Sequence, residues 1–308
     1  MRHFLTLTDF SEPELHRLLA EAARYKRHRA RGRNSLSGKT VALVFQKPSM
    51  RTRVAFEVAV LQLGGSVVSL GQEDIQLGSR EPIKDVARVL SRYVDAIVVR
   101  TFAHEDAREF ARLSRCPIIN GLSDLVHPCQ ALADLFTIQE RFGRLKGLRL
   151  AYVGDGNNVL HSLIEGCAMT GVNAAVSTPS GYRPDAAIWA AAMRRAKARG
   201  AVLRWEPNPQ RAVQGADVIY TDVWVSMGKE QERRKRLKTF RPYQLNRGLL
   251  RRAKPTCRIM HCLPAHRGEE ITDDVLESPY SLIVEQAENR LHVQKALLLM
   301  LLAKRTER

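Results

Sequence analysis

The feature that most constrains the fold is a regular alternation of short apolar runs with amphipathic helical segments along most of the 308 residues. The apolar run from Thr40 to Phe45, for example, leads directly into a helical pattern that begins near Arg51. Short buried strands that alternate with helices are typical of parallel sheets covered by helices on both faces. The length is sufficient for two domains. The pattern therefore predicts an α/β fold with two doubly wound parallel-sheet domains.

The predicted elements divide between two halves of the chain. The segment Arg141–Leu148 is polar and contains glycines, so it predicts a boundary between domains at residues 1–143 and 144–284. The predicted strands are Thr40–Phe45, Ser66–Leu70, Ala96–Val99, Ile118–Ile119, Arg149–Val153, Ala174–Ser177, Val218–Tyr220, Ile259–Met260 and Leu282–Val284. The predicted helices run from about Ser11 to Arg29 and over Arg51–Leu63, Ile83–Tyr93, Glu105–Leu113, Pro128–Phe142, Val159–Thr170, Pro184–Arg199, Lys229–Leu237 and Glu285–Lys304.

Composition limits the environment and the class of partner. Five cysteines without regular spacing argue against a disulfide framework and for a reducing compartment. No stretch approaches the roughly 20 apolar residues of a membrane span, so we expect a cytoplasmic protein without a membrane partner. The net charge of +17 favours acidic partners. Aromatic residues, however, make up only 6% of the sequence and do not interleave with the basic runs. We therefore interpret the basic runs as solvated surface rather than as a nucleic-acid interface.

The stretch Lys47–Arg53 lies where a predicted strand turns into a predicted helix. The first backbone N–H groups of a helix have no partner within the helix, and the helix dipole attracts anions there. Ser49 can cap this helix, Met50 and Thr52 add N–H donors, and Arg51 adds a permanently charged guanidinium group. The turn is a candidate phosphate site, although a capped helix with solvent-exposed arginines is the simpler alternative.

Chemically distinctive side chains also follow five other predicted strands. Ligands of open parallel sheets bind beyond the carboxyl ends of the strands. The first half supplies arginine, histidine and glutamine, which suit an anion and a carbonyl group, and the second half supplies asparagine, acid, hydroxyl and thiol groups, which suit an amine and a carboxylate. A cleft between two such domains would serve group transfer. These residues are Arg100, His127 and Gln130 in the first half, and Asn158, Asp222, Ser226 and Cys262 in the second.

Two other classes of function stay open at this point. The segment Gly154–Val159 is similar to a dinucleotide-binding turn, which would suit a nicotinamide-dependent oxidoreductase, but Val159 stands where the third glycine belongs. The high positive charge would suit a non-enzymatic nucleic-acid-binding protein. Possible metal ligands near His127 and Cys262 lack paired spacing, so no metal and no cofactor is predicted.

Three motifs, in order, resemble the aspartate/ornithine carbamoyltransferases: Ser-x-Arg-Thr-Arg at 49–53, His-Pro-x-Gln at 127–130 and His-Cys-Leu-Pro at 261–264. The loop Asp222-x-x-x-Ser226-Met-Gly resembles the ornithine branch of this family. Met50 departs from the pattern, because many members have threonine there. Since this position contributes its backbone N–H, the departure should have little effect.

The resemblance implies a transferase that moves a carbamoyl group from carbamoyl phosphate to the δ-amine of L-ornithine in arginine biosynthesis. It implies a homotrimer or a larger assembly of trimers, and a C-terminal helix, 285–308, that completes the first domain. The residues implied for carbamoyl phosphate are Ser49, Met50, Arg51, Thr52, Gln76 from a neighbouring subunit, Arg100, His127, Pro128, Cys129, Gln130 and Arg290. Those implied for ornithine are Asn158, Asp222, Ser226, Met227, Cys262 and Leu263, and the catalytic residues are Arg51, Arg100, His127 and Cys262.

Overall fold

The computed structural model describes residues 2–77, 80–226 and 230–302. The described residues form two compact units: one contains the residues up to 136 together with those from 288 onward, and the other contains the residues from 137 to 287. Each unit is built on one parallel sheet with helices, so the predicted α/β class is confirmed. The division falls inside the helix Pro128–Phe142, earlier than the polar segment that predicts it at 143 and 144. Because this helix is continuous, its sequence carries no signal at the division.

The first unit contains a four-stranded sheet in the order β2-β1-β3-β4, with every neighbouring pair parallel. Strands β1 and β3 are apolar and buried, whereas the edge strand β2 is partly exposed. The strands are β1 Thr40–Phe45, β2 Ser66–Leu70, β3 Ala96–Arg100 and β4 Ile118–Leu122. The helices are α1 Glu12–Arg27, α2 Met50–Gln62, α3 Gln72–Ile75, α4 Ile83–Leu90, α5 His104–Leu113 and α6 Pro128–Phe142, which continues into the second unit.

The second unit contains a five-stranded parallel sheet in the order β7-β6-β5-β8-β9. The last helix, α13, begins in this unit and continues into the first. The strands are β5 Arg149–Val153, β6 Asn173–Ser177, β7 Leu203–Trp205, β8 Val218–Thr221 and β9 Arg258–His261. The helices are α7 Asn158–Thr170, α8 Ala186–Ala198, α9 Pro209–Ala212, α10 Arg233–Phe240, α11 Arg247–Leu250, α12 Asp273–Leu276 and α13 Ile283–Leu302.

The strand order reverses once in each sheet, and these reversals locate the candidate sites. In the first sheet the chain moves outward from β1 to β2 and then returns to place β3 on the other side of β1. In the second sheet β6 and β7 lie on one side of β5, and β8 and β9 lie on the other. The turns after β1 and β3, and those after β5 and β8, therefore open a crevice at the carboxyl edge of each sheet.

One predicted strand is wrong, and one strand of the structure was not predicted. Leu282–Val284 is not a strand, because α13 already begins at Ile283. A single parallel bridge joins Ser281 to Ile259 of β9, through hydrogen bonds of Ile259 with the backbone of Tyr280 and Leu282. The structure instead has the strand Leu203–Trp205 at the edge of the second sheet. Three residues with a central exposed arginine are too short to show a strand periodicity.

Each unit has its own apolar core. In the first, residues such as Val44, Ile97 and Phe110 are almost or fully buried. In the second, residues such as Val153, Ile259 and Val275 form the equivalent cluster. Every helix in the described part of the chain is too short or too polar to span a membrane.

Candidate active site

The turn after β1 has the predicted geometry of a helix start, with one difference. Ser49 has an extended backbone and is the N-cap residue of α2, but its side chain makes no capping hydrogen bond. The side chain of Met50 is 69% exposed and that of Thr52 is only 1% exposed. Arg51 is half-buried between them. The turn thus presents the first N–H groups of α2 together with the Ser49 hydroxyl and a guanidinium group, as an anion site requires.

Arg290 of α13 joins this turn to the start of α6. Its Nη2 donates to Thr52 Oγ1 at 2.6 Å, and its Nη1 donates to Gln130 Oε1 at 2.9 Å. Gln130 Nε2 in turn donates to Asp134 Oδ1 at 2.9 Å. All four side chains are buried. Arg290 was expected only from the family resemblance, and the structure brings it together with two of the other predicted site residues.

His127 is held in its neutral form by its surroundings. It lies directly before α6 and its side chain is buried. Burial, followed by the positive charges of Arg290, Arg100 and Arg51, lowers the pKa of His127 well below its ordinary value. These three guanidinium groups are therefore close enough to act on the imidazole ring. A neutral imidazole among permanent cations can donate a hydrogen bond to an oxygen atom that is becoming negative.

The neighbours of His127 in the sequence have structural contacts. Pro128 is the first residue of α6, where proline fits a helix start. Cys129 is fully buried, its Sγ lies 3.4 Å from the carbonyl oxygen of Asn120, and burial raises its pKa to about 12. Its side chain is thus an inert apolar group. Gln76 is exposed and ends α3 with a left-handed backbone, and its role in the site of a neighbouring subunit stays a prediction.

Lys47 is a residue of this turn that the sequence analysis left without a role. Its side chain is 9% exposed, and its Nζ lies 4.5 Å from the centre of the Phe102 ring. Burial, and then the charge of Arg100, lowers the pKa of Lys47. The position of Lys47 in the motif, two residues before Ser49, could have indicated a role in the site. A lysine in a turn, however, is normally exposed.

In the second unit, Asp222 is held between an amide and a thiol. Asn157 Nδ2 donates to Asp222 Oδ2 at 2.6 Å, and Cys262 Sγ donates to Asp222 Oδ1 at 2.9 Å. Asn157 also caps α7, because its Oδ1 accepts from the backbone of Val159 and Leu160. The predicted residues Asp222 and Cys262 are thus in contact. The sequence analysis did not predict Asn157 as a site residue, because the family resemblance assigns ornithine binding to the neighbouring Asn158.

The other predicted residues of the second unit surround this chain of contacts. Asn158 begins α7 and is half-buried, and Ser226 is half-buried on the segment after β8. Met227 lies outside the described residues. Leu263 follows Cys262 with a left-handed backbone of φ 58°, and its N–H donates to His261 Nδ1 at 2.8 Å.

The ring of His261 is fixed by two hydrogen bonds. Since Nδ1 accepts from Leu263, the ring proton lies on Nε2, which is 3.1 Å from Glu270 Oε1. Both side chains are fully buried. The oriented imidazole holds the left-handed turn at Leu263 in place. Glu270 had no role in the sequence analysis, because an acid nine residues after a histidine matches no general motif.

Two clusters have the composition of a metal site. Ligand atoms of Asp222, His261 and Cys262 lie within 4.8 Å of one another, and so do those of His266, Glu269 and Glu270. In the first cluster both ring nitrogens of His261 already take part in hydrogen bonds. A metal ion could bind there only after one of these bonds was broken. The absence of a metal and of a cofactor stays a prediction.

The glycine-rich turn after β5 is closed by the chain itself. A Cβ atom at Gly156 would lie 2.4 Å from the carbonyl carbon of Arg183, and the Gly156 N–H donates to Tyr182 O at 3.0 Å. The Asn157 side chain already accepts hydrogen bonds from the first backbone N–H groups of α7. A dinucleotide needs both the open glycine turn and those N–H groups for its pyrophosphate. The geometry therefore disfavours the oxidoreductase alternative.

Each half of the chain matches a model of one protein family. Residues 2–140 match the family model "Aspartate/ornithine carbamoyltransferase, carbamoyl-P binding domain", and residues 146–301 match "Aspartate/ornithine carbamoyltransferase, Asp/Orn binding domain". The ornithine carbamoyltransferase of Archaeoglobus fulgidus is 51% identical, over 100% of this chain and 99% of the relative. The protein named "Ornithine carbamoyltransferase, anabolic" from Pyrococcus furiosus is 50% identical, over 98% of this chain and 96% of the relative.

Solved structures give the same result. The ornithine carbamoyltransferase structure from Pyrococcus furiosus matches with a TM-score of 0.95 at 50% identity, over 98% of this chain and 97% of that one. The structure from Gloeobacter violaceus matches with a TM-score of 0.89 at 49% identity, over 98% and 99%. The resemblance inferred from three motifs is therefore confirmed over the whole chain, which belongs to the aspartate/ornithine carbamoyltransferase family.

Proposed function

We propose that this chain transfers the carbamoyl group of carbamoyl phosphate to the δ-amine of L-ornithine, giving L-citrulline and phosphate, in arginine biosynthesis. Relatives that are about half identical over the full length carry the name ornithine carbamoyltransferase, and one of them is named anabolic. The single observation that best supports the proposal is the buried set of Arg290, Thr52 and Gln130, with neutral His127 close to the Arg290 charge.

The first unit would bind carbamoyl phosphate. Its phosphate group would lie on the first turn of α2, where it accepts hydrogen bonds from the N–H groups of Met50, Arg51 and Thr52 and from the Ser49 hydroxyl. The guanidinium groups of Arg51 and Arg100 neutralise its charge. As the bond between carbon and the phosphate oxygen breaks, negative charge moves onto this group. Fixed cations therefore stabilise the transition state more than the ground state.

The carbamoyl group would be recognised by the residues around Arg290. Thr52, Arg100 and neutral His127 would donate hydrogen bonds to the carbamoyl oxygen, which becomes negative during attack. Gln130 Oε1 accepts one hydrogen bond from Arg290 and retains a second lone pair for the carbamoyl NH2 group. Because Asp134 holds the Gln130 amide nitrogen, this oxygen is oriented before substrate binds.

The second unit would bind ornithine. Asn158, Asp222, Ser226 and Met227 would bind its α-amino and carboxylate groups, and Leu263 would accept from the δ-amine through its carbonyl oxygen. The Cys262 thiol donates a hydrogen bond to Asp222, and its sulphur would accept a hydrogen bond from the δ-amine. Cys262 would orient this amine, or take its proton once the thiol proton has passed to Asp222. A free amine of this kind has a pKa near 10.4, so loss of its proton is part of the reaction.

The bonds that form and break need no cofactor and no metal. The neutral δ-nitrogen attacks the carbonyl carbon, the bond from carbon to the phosphate oxygen breaks, and one proton passes from the nitrogen to the departing phosphate, which leaves as hydrogen phosphate. The leaving phosphate makes the carbamoyl group reactive. The proposed partners are these two substrates and further copies of the chain, without nucleic acid or membrane, and the proposed location is the cytoplasm.

We further propose that the chain forms a homotrimer or a larger assembly of trimers. The first unit exposes large apolar side chains on α2 and the neighbouring edge strand β2, a pattern that favours burial against another chain. These residues are Met50 at 69%, Val54 at 48%, Leu61 at 62% and Val68 at 42% exposure. Gln76 of one copy would then contribute to the carbamoyl phosphate site of its neighbour.

The proposed activity is tested by incubating the chain with carbamoyl phosphate and one amine at a time: L-ornithine, N-acetylornithine, putrescine or L-lysine. Citrulline and phosphate should form in equal amounts with ornithine, and far more slowly with the other three. Arg51→Ala should lower the rate by several powers of ten because it removes a phosphate contact. Preference for another amine, or an undiminished rate of the variant, would contradict the assignment.

A further inference from the structure

A buried ion pair of the second unit contains an arginine from a surface helix. Arg236 Nη1 lies 2.8 Å from Asp155 Oδ2, and each side chain is 4% exposed. Arg236 belongs to the basic run of α10, where its neighbours Arg234 and Lys235 are exposed. Together with Phe240, one helical turn later, Arg236 forms the inward face of α10. This cation is therefore part of the interior of the second unit.

Arg236 connects two turns at the carboxyl edge of the second sheet. Its Nη1 also donates to the carbonyl oxygen of Trp224 at 2.9 Å, on the segment after β8. Its Nε donates to Glu232 Oε2 at 2.8 Å, and its guanidinium group lies 4.8 Å from the centre of the Tyr182 ring. Asp155 belongs to the turn after β5. One planar group thus fixes the spacing between these two turns.

Both turns hold Asp222 in place. Trp224 is two residues beyond Asp222 and two before Ser226, and its ring stacks on Phe240 of α10 at a centroid distance of 5.9 Å. On the other side, Asp155 is two residues before Asn157, which donates to Asp222 at 2.6 Å. Arg236 is therefore connected to the candidate ornithine-binding residues through two neighbouring turns. It makes no direct contact with Asp222 or Ser226 in the described structure.

We propose that Arg236 is a positioning residue for ornithine: it holds the segment 222–226 against the turn 155–157, so that Asp222 and Ser226 are placed before ornithine binds. This inference rests on the proposed function and adds a determinant of affinity to it. A substrate held by prearranged groups binds with less loss of conformational freedom. Loosening the segment should therefore weaken ornithine binding and leave carbamoyl phosphate binding, which uses the first unit, unchanged.

A role confined to stability would have a different signature. Asp155→Asn leaves the buried guanidinium charge uncompensated and Arg236→Lys loses the planar fork, so both variants of the pair should be less stable under either explanation. A purely structural effect lowers the folded fraction, and with it the apparent kcat, while the KM of the folded enzyme stays the same. The KM for ornithine is therefore the quantity that separates positioning from stability.

The test uses two variants of the pair and one matched control. Arg236→Lys keeps the charge but loses the planar fork, and Asp155→Asn keeps the shape but loses the carboxylate charge. Arg234→Lys makes the same change at an exposed position of the same helix. Steady-state rates are measured with each substrate varied. Binding of L-norvaline, which has the α-amino and carboxylate groups of ornithine but no δ-amine, is measured by calorimetry in the presence of carbamoyl phosphate.

Both pair variants should raise the KM for ornithine and the Kd for L-norvaline by about tenfold, with a change in the KM for carbamoyl phosphate below about twofold. Arg234→Lys should match the wild type. Folded pair variants with unchanged ornithine KM and L-norvaline Kd would overturn the proposal. If Arg236→Lys does not fold, Asp155→Asn alone decides, because it retains the guanidinium group and the side-chain volume.

Asp222→Asn separates this inference from the proposed function. If Asp222→Asn leaves the ornithine KM unchanged, the proposed ornithine site is wrong, and the positioning role is wrong with it. If Asp222→Asn raises the ornithine KM while both pair variants behave as wild type, only the positioning role of Arg236 is wrong.

Discussion

Arg290 Nη2 donates a 2.6 Å hydrogen bond to Thr52 Oγ1 across a separation of 238 residues in the chain. The last helix thereby reaches the first turn of α2. The same guanidinium group also donates to Gln130. One side chain thus fixes the relative positions of two turns that follow different strands of the first sheet.

Replacement of Arg290 by lysine should impair the carbamoyl phosphate site. An ammonium group cannot reproduce two parallel hydrogen bonds from a planar fork, so Thr52 and Gln130 lose their common partner. We expect kcat/KM for carbamoyl phosphate to fall by about 10²–10³, as when one fixed donor is lost. Steady-state kinetics measure this change, with the exposed Arg88→Lys on α4 as the control. Equal kcat/KM in the two variants would contradict the assigned role.

The low pKa of His127 should make the protein less stable in acid. Because burial and nearby arginines lower this pKa in the folded state, the unfolded chain takes up a proton first as the pH falls below about 6.5. The free energy of unfolding then declines with falling pH, by up to about 1.4 kcal/mol per pH unit. In His127→Gln this contribution is absent, so the decline between about pH 6.5 and 5 should be shallower.

Urea denaturation at a series of pH values measures this difference in slope. Burial also lowers the pKa values of His104 and His292, but these residues are present in both proteins, so their effects cancel in the comparison. Parallel curves for the wild type and His127→Gln would show that His127 has the same proton affinity in the folded and unfolded chain.

Gly156→Ala should destabilise the second unit. The new Cβ would lie 2.4 Å from a backbone carbon of Arg183, and neither backbone can move without disturbing the turn that holds Asn157. We expect a loss of about 1–3 kcal/mol, typical of overpacking. At Gly181 a Cβ meets no atom within 4 Å, so Gly181→Ala is the matched control and should stay within about 0.5 kcal/mol of wild type. Chemical denaturation compares the two, and equal stability would rule out the close approach at Arg183.

Leu61→Glu should shift the proposed trimer towards monomers. Leu61 is 62% exposed in the single chain, and a carboxylate buried at an interface without a partner is costly. Light scattering coupled to size exclusion measures the mass over a range of concentrations. Met193→Glu places the same charge on α8 of the second unit, at a residue that is 44% exposed, and should leave the mass unchanged. An unaltered mass for Leu61→Glu would exclude this face from the interface.

The sequence predicted residues at strand ends better than residues whose partners are distant. Arg100 ends the buried strand β3 and Asp222 follows the buried strand β8, and parallel topology alone brings such residues to the carboxyl edge of their own sheet. The periodicity of the last helix could not locate Arg290, because its partners lie 160 and 238 residues away; only the family resemblance indicated it. Arg236 was hidden within a basic run, since a charge in such a run is normally solvated.

The burial of the cysteines has a practical consequence for chemical labelling. Four of the five thiols are buried, and burial raises the pKa values of Cys116, Cys129 and Cys257 to about 12. Cys262 alone is partly accessible. Because alkylating reagents need contact with a thiolate, a maleimide should attach at this one sulphur in the folded chain. The chain therefore offers a single attachment point without any prior mutation of the other four cysteines, and the protection of this sulphur from the maleimide would report on ornithine binding.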